Sequence, residues 1–436
     1  MARAFLFAFL SDIMMTTSSN ARALFRMRSC ARLAAALAMT AMLAACGGGG
    51  GGDSTAGAAK NAATASTAST AASDSVSTAS PASAGQSGAA AASQATTTTA
   101  MSAANTSPTS TATAGNAGAA VSAPASVNAA ASIFYGANGH NNEGGAYDMS
   151  SSALQLAQLN DLGAKLYRNE VYSQASVTKL AGIARSMAAG GVTVFPVLLA
   201  DPNAFIDEAG AYNAGYALGQ QTATSYRYPY YEVSNELGAA ALVGNVDGVF
   251  PQQFDNALFQ KARGVIRGMI AGIKSVDTNG KIIIGGDTWL HYGFDQMLAD
   301  GTQPDGTTGH PKVTWDITGW HWYSEQGDIT HACGGTGCHD VLAALQAFGK
   351  PIWLTEFGVR PSYGSDAQIA SYMVGNTMMA QFVAVASKYG LQAIQVYELY
   401  DDPVGGEGNY GLLKNDGATQ KPVYAAFKSF VAAHPM

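Results

Sequence analysis

Charge and cysteine are scarce in this sequence, long apolar runs are missing, and each shortage excludes something. Charged residues make up 12% of the 436, and the net charge is −7. Residues 132–436 hold nearly all the aromatic side chains and carry 17 Lys and Arg against 27 Asp and Glu, a net −10. So acidic a segment argues against nucleic acid and anionic lipid as partners, and it suits a neutral substrate better than a polyanion. The uncharged run at 33–45 has 13 residues, whereas crossing a bilayer takes about 20. A Gly-rich phosphate turn after the first strand, the mark of a doubly wound nucleotide-binding sheet, is also missing.

What is present falls into three parts. In residues 1–46, Arg22, Arg26, Arg28 and Arg32 precede the apolar run, which is the layout of a secretory signal peptide. The run ends Leu43-Ala44-Ala45-Cys46-Gly47. That ending resembles the bacterial lipobox, which implies a lipid on Cys46 and attachment to a bacterial membrane, the outer membrane in particular, facing periplasm or cell surface. A transmembrane anchor is the competing reading, and the short run argues against it. Residues 47–131 are almost wholly Gly, Ala, Ser and Thr, too poor in large apolar side chains to offset the entropy of ordering. A disordered tether of about 80 residues has a typical span on the order of 50 Å.

The third part, 132–436, is long enough for a full core and is expected to be monomeric. Its two cysteines lie in His331-Ala-Cys333-Gly-Gly-Thr-Gly-Cys338-His339. In an oxidising compartment a small loop disulfide is the leading expectation, with a zinc site of both cysteines and both histidines as the alternative.

From residue 132 onward, short β-rich runs alternate with stretches of helical periodicity, the pattern of repeated βα units around a parallel sheet. Strands are expected at 132–138, 164–171, 192–200, 230–236, 281–289, 313–323, 351–357 and 391–400. Helices are expected at 151–162, 177–189, 205–226, 254–276, 294–298, 341–348, 367–389 and 421–433. Eight pairs in about 300 residues predict an α/β fold, a (β/α)8 TIM barrel, whose catalytic groups belong at the carboxyl ends of the strands.

Two of those ends deliver a glutamate. The fourth strand ends Ser234-Asn235-Glu236, and the seventh ends Thr355-Glu356-Phe357-Gly358. A carboxylate at the edge of a buried strand is costly unless it is paired or used. A structural ion pair explains one such residue, but two of them three strands apart point to chemistry. Glycoside hydrolysis needs one carboxyl group to protonate the leaving oxygen and a second to attack or to activate water.

Asn235-Glu236 closing strand four and Glu356 closing strand seven resemble the clan A, or 4/7, glycoside hydrolases, over residues 132–436. The resemblance implies Glu236 as acid/base, Glu356 as nucleophile and Asn235 as a ligand of the substrate 2-hydroxyl. Arg168, ending strand two, matches an arginine that contacts the nucleophile. His321-Trp322-Tyr323 looks like the clan's His-x-Tyr pattern, with Tyr323 donating to Glu356 and His321 near Glu236; a satisfied core histidine is the alternative for His321. Period-two alternation puts His321 and Tyr323 on one face. Strand eight departs from the clan, with Tyr397-Glu398-Leu399-Tyr400-Asp401-Asp402 where a tryptophan platform is usual. Tyr397 is the expected replacement, with Glu398 and the aspartates on sugar hydroxyls. Trp289 is a second candidate platform, and Asn138 and His140 are rim candidates. Asn409-Tyr-Gly-Leu-Leu and Lys421-Pro-Val-Tyr resemble the last loop and helix of clan members near families 5 and 39.

These residues lead to an expected retaining hydrolase of β-linked polysaccharide, either a bacterial exopolysaccharide or a plant β-glycan. No metal or other cofactor is required. Short loops after several strands point to an open groove and endo action. A transglycosylase would share every catalytic residue, and a non-catalytic glycan-binding lipoprotein of an export or retention complex is the alternative of another class.

Overall fold

Eight parallel strands close into a barrel within residues 134–403 and 406–436, the part of the chain that the computed structural model describes. The expected signal peptide, Cys46 and the tether lie outside the described residues. In chain order the strands are β1 (Tyr135–Gly139), β2 (Leu166–Val171), β3 (Thr193–Leu198), β4 (Tyr230–Val233), β5 (Lys281–Thr288) and β6 (Ile317–Tyr323). A hairpin of β7 (Ala332–Gly334) and β8 (Gly337–His339) follows, then β9 (Ile352–Gly358) and β10 (Leu391–Val396). The ring runs β1-β10-β9-β6-β5-β4-β3-β2. Each barrel strand therefore lies beside its chain neighbours and β10 closes onto β1, as a TIM barrel requires.

Helices occupy the crossovers. After β1 come α1 (Ala146–Met149) and α2 (Ser152–Leu162), after β2 α3 (Gln174–Ala188), and after β3 α4 (Glu208–Ser225). After β4 come α5 (Leu237–Ala241) and α6 (Asn256–Lys274), after β5 α7 (Tyr292–Asp300), and after the hairpin α8 (Val341–Gln346). The last are α9 (Asp366–Met373), α10 (Met379–Tyr389) and α11 (Pro422–Ala433). Ser151, Ser173, Asp207, Asp255 and Asp340 start their helices by accepting from first-turn N–H groups, which satisfies donors that have no partner inside the helix. The helix expected over 367–389 is two, broken near Gly375, and the fourth strand stops at Val233 rather than 236.

Helices α4 and α6 touch through glycine. A Cβ on Gly215, Gly219, Gly264, Gly268 or Gly272 would stand 2.1–2.4 Å from backbone oxygens of the facing helix. The backbones therefore pack against each other with no side chain between them.

Inside the ring, Leu166, Phe195, Ile283, Ile317, Trp353 and Ala393 form one layer with Tyr230 against it. Burying each large apolar side chain there contributes about 1.5–3 kcal/mol. Two residues further along β2 and β4, the same inward face carries Arg168 and Glu232, and four and six residues beyond Ile317 on β6 it carries His321 and Tyr323. Trp320 and Trp322 belong to the outer core between barrel and helices, as strand alternation requires. Strand β9 breaks that alternation. Its pairing with β6 slips between Trp320↔Leu354 and His321↔Glu356, a bulge that turns both Thr355 and Glu356 toward the barrel axis.

Candidate active site

Arg168 organises the mouth of the barrel. Its Nη1 donates to Glu356 Oε1 at 2.7 Å and to Asn138 Oδ1 at 2.9 Å, its Nη2 donates to Asn235 Oδ1 at 2.7 Å, and its Nε pairs with Glu232. Burial works against the guanidinium charge, but Glu232 and then Glu356 outweigh it, and the pKa of Arg168 rises. Glu232 is fully buried and also accepts from Gly286 N–H at 3.1 Å and Thr355 Oγ1 at 3.0 Å. One guanidinium thus serves two carboxylates, with hydrogen bonds supplying the rest of what water would have given them. Asn138, expected at the rim, is buried instead. Its Nδ2 donates to the Thr355 carbonyl at 3.0 Å, so it braces Arg168 against β9.

The second oxygen of Glu356 accepts from Tyr323 Oη at 2.6 Å. With Arg168 on one oxygen and Tyr323 on the other, the carboxylate plane of Glu356 is fixed from both sides. Glu236 stands across from it. Nδ1 of His321 lies 3.0 Å from Glu236 Oε1 and 3.4 Å from Glu356 Oε2. A carboxylate oxygen of each glutamate and a nitrogen of His321 all fall within 4.8 Å of one another. Glu236 reaches this place because the chain leaves β4 through two left-handed residues, Ser234 at φ 77° and Glu236 at φ 46°. Non-glycine residues seldom hold that conformation, and where they do a surrounding network over-determines it. Here the Glu236 N–H donates to the Gly286 carbonyl at 2.8 Å. A Cβ on Gly286 would come within 2.2 Å of His321 Nε2, so glycine is what lets His321 stand between the two glutamates.

One flank of the mouth is built from β1, β2 and the loop after β10. Tyr397 and Glu398 are joined by a cis peptide bond. Neither is an open platform: Tyr397 is nearly buried and Glu398 wholly so. Tyr397 packs edge-on against Tyr323 and Tyr410 and donates to Glu407 Oε2 at 2.9 Å. Glu398, expected on sugar hydroxyls, instead accepts from Tyr147 Oη at 2.9 Å and faces His140 Nε2 at 3.6 Å. Burial drives its pKa well above the carboxylate range. His140, expected at the rim, is buried with Nδ1 at 2.5 Å from Glu170. Burial opposes its charge, but Glu170 and Glu398 prevail and raise its pKa well above the usual value. Asp401 is paired with Lys421 at 2.7 Å.

The opposite flank carries Trp289, half-buried, left-handed at φ 55° and stacked on Trp322 with ring centroids 6.1 Å apart. Beside it, Cys333 and Cys338 are joined by a disulfide across the β7–β8 hairpin. Asp247 fixes that hairpin by accepting from the Thr336 N–H and hydroxyl, and Tyr292 meets His339 Nδ1 at 2.9 Å. With both sulfurs in the disulfide, they are not available as the thiolates a zinc site needs. Glu236, His321 and Glu356 are the other candidate metal-ligand set among the described residues, but there the Arg168 guanidinium already supplies the positive charge. Two surface hollows, one lined by Tyr363, Gln368 and Tyr372 and one by Asp148, Gln155 and Lys179, contain neither glutamate.

Glu232, Gly286, Tyr147, Glu170 and Glu407 belong to the network without having been singled out in the sequence. A signal existed for Glu232, a lone carboxylate between Tyr231 and Val233 in an apolar strand.

No protein-family model matches the chain, and no curated protein does. Solved structures do match. A β-glucosidase from Thermotoga maritima, in complex with a calystegine derivative, aligns at TM-score 0.50 and 13% identity over 70% of this chain and 98% of its own. A β-glucosidase from Exiguobacterium marinum aligns at TM-score 0.48 and 12% identity, over 69% and 98%. Xylanase 10B from Thermotoga petrophila, bound to xylobiose, gives 0.46 and 15%, over 70% and 95%. At such identities the first of these speaks for the barrel and not for the activity.

Proposed function

We propose that this chain is a retaining glycoside hydrolase of the clan A type, cutting β-linkages in a polysaccharide, with Glu356 as nucleophile and Glu236 as acid/base. The observation that carries this is the pair itself: two carboxylates from β9 and the β4 turn within 4.8 Å of the same histidine nitrogen and of each other. Retaining enzymes hold their carboxyl groups about 5–5.5 Å apart, whereas inverting enzymes leave about 6.5–9.5 Å for a water.

Each residue then has a task. Glu236 gives a proton to the departing oxygen while Glu356 attacks the anomeric carbon and forms a glycosyl ester. Arg168 and Tyr323 orient the attacking carboxylate, and Asn235, itself fixed by Arg168, presents its amide to the sugar. Forming the ester removes the negative charge beside Glu236, which favours its ionised form. Glu236 can then take a proton from water, which attacks the same carbon and releases the sugar with its configuration retained. His321 holds Glu236 through both steps.

The open groove expected from the short loops after several strands favours endo action. The sequence reading places the enzyme outside the cytoplasm, lipid-anchored through Cys46 with residues 47–131 as tether, and acting on a bacterial exopolysaccharide or plant β-glycan. Incubation with a panel of such polymers should release oligosaccharides. Glu236→Gln should slow release by about 10²–10⁴-fold, and Glu356→Gln should end it and prevent covalent labelling by an activated fluoro-sugar. Turnover surviving in Glu356→Gln would sink the assignment.

A further inference from the structure

The turn that carries Glu236 is held from behind by one short stretch of β5. Pairing of β5 with β6 slips between Ile284↔Thr318 and Asp287↔Trp320, so Gly285 and Gly286 form a bulge beside the turn after β4. A Cβ on Gly285 would stand 2.4 Å from the Ser234 carbonyl oxygen, and the Gly286 carbonyl accepts the Glu236 N–H. Asp287 comes next and is buried. Its Oδ2 accepts from the Gly238 N–H at 2.8 Å and its Oδ1 from the Ala239 N–H at 2.9 Å.

Those two N–H groups are the ones that a helix normally leaves to its own N-cap residue, which takes an extended backbone and turns its side chain back onto them. Glu236 is the N-cap of α5, yet it is left-handed and its side chain makes no capping bond. Asp287 caps the helix in its place, from another strand, while the Glu236 carboxylate lies against His321 Nδ1 at 3.0 Å. Gly238 fits the same arrangement. A Cβ there would stand 2.2 Å from Asp287 Oδ2, so a side chain at that position would drive the carboxylate off the helix. Removing the Asp287 carboxylate would leave two N–H groups without their acceptor and a disfavoured backbone with less to hold it. Relaxation of Glu236 to the extended N-cap form would answer both, by bringing its own carboxylate onto α5 and away from His321.

We propose that Asp287 is a positioning residue for the acid/base: by capping α5 in place of Glu236 it holds the turn in its left-handed form and keeps the Glu236 carboxylate at His321, beside Glu356. This rests on the glycosidase assignment above and adds to it a residue that acts only through Glu236.

The test compares a step that needs the Glu236 proton with one that does not. The 2,4-dinitrophenyl 2-deoxy-2-fluoro-β-glycosides of glucose, galactose and xylose label Glu356 by forming the glycosyl ester and expelling dinitrophenolate, which departs unprotonated; the label is read by mass. Cleavage of the polymer panel requires the proton. In the full chain, Asp287→Asn and Asp287→Ala should slow polymer cleavage roughly 10- to 100-fold, the scale on which about 1 Å of misplacement is felt, and should keep the labelling rate of the parent. Gly238→Ala, which displaces the Asp287 carboxylate without removing it, should give the same split, and thermal unfolding checks that each variant is folded. Azide should free the labelled Asp287 variants faster than water does, because it attacks the anomeric carbon and expels the Glu356 carboxylate with no base required. A crystal structure of Asp287→Ala should show Glu236 out of the left-handed region, its carboxylate on the N–H groups of Gly238 and Ala239. Cleavage and labelling that fall together in folded variants, cleavage that does not fall, or a Glu236 still against His321 in that crystal structure overturns the positioning role alone. A parent enzyme that takes no label and cuts no polymer overturns the glycosidase assignment and this role with it.

Discussion

Tyr323 donates a short hydrogen bond to Glu356 Oε2, and Tyr323→Phe removes it without emptying the space. A hydrogen bond to a charged group is worth about 1.5–3 kcal/mol, so kcat/KM should fall roughly 10- to 100-fold while the unfolding temperature changes little; initial rates beside a thermal melt check both. At this scale the sequence was readable where alternation holds. His321 and Tyr323 sit two apart on β6, and both point inward. It was not readable where alternation fails. A strict period of two would bury Glu356 on the wrong face of β9, beside Trp320 and Trp322, and only the bulge opposite β6 turns it inward. Gly286 was invisible for a different reason: its importance is the Cβ it lacks beside His321, and spacing carries no record of that. The flank from β10 was misjudged because burial decides what a carboxylate can touch. Glu398 stands at a strand end, but Tyr147 and His140 enclose it.

At the scale of elements, α4 and α6 depend on their glycines. A side chain at Gly268 would begin 2.1 Å from the Tyr212 carbonyl, so Gly268→Val must push the helices apart. Overpacking of this kind costs about 1–3 kcal/mol, and denaturant unfolding should show a lower midpoint with catalysis retained in the folded fraction. Helix α7 carries an opposite fault. Asp295 is buried with neither carboxylate oxygen hydrogen-bonded among the described residues. Burial, and then the charge of Asp287, raise its pKa well above the usual 3.8. Between those two pKa values the folded chain holds a proton that the unfolded chain has released, so stability declines as pH rises through that window. Asp295→Asn abolishes the effect. Its unfolding temperature should exceed the parent's at pH 8, by about 2–4 °C for each kcal/mol relieved, and the gap should close as pH falls toward 4. The helix and strand order was legible from periodicity alone. Element ends were less so, because Gly375 divides one periodic stretch and the turn after Val233 is fixed by contacts from β5, remote in sequence.

For the whole molecule, the barrel followed from eight alternations of strand and helix, and its closure is set by β10 pairing with β1. If Cys46 is lipidated as its surroundings resemble, Cys46→Ser should move the protein from the membrane fraction to the soluble fraction with unchanged kcat on soluble oligosaccharides, which fractionation and an activity assay would show. Arg168 ties these scales together. Its guanidinium reaches Asn138 on β1, Glu232 on β4, Asn235 in the turn that follows and Glu356 on β9, residues separated by as much as 218 positions in the chain. No fragment that ends before β9 contains all of these partners, and a half-closed ring would leave the guanidinium facing water on its open side. Glu356 is therefore aligned only once β9 has joined the strands that come before it. Catalytic competence on the proposed reading waits on strands from both halves of the ring, and a circularly permuted or split version would regain turnover only to the extent that its pieces bring those strands back together.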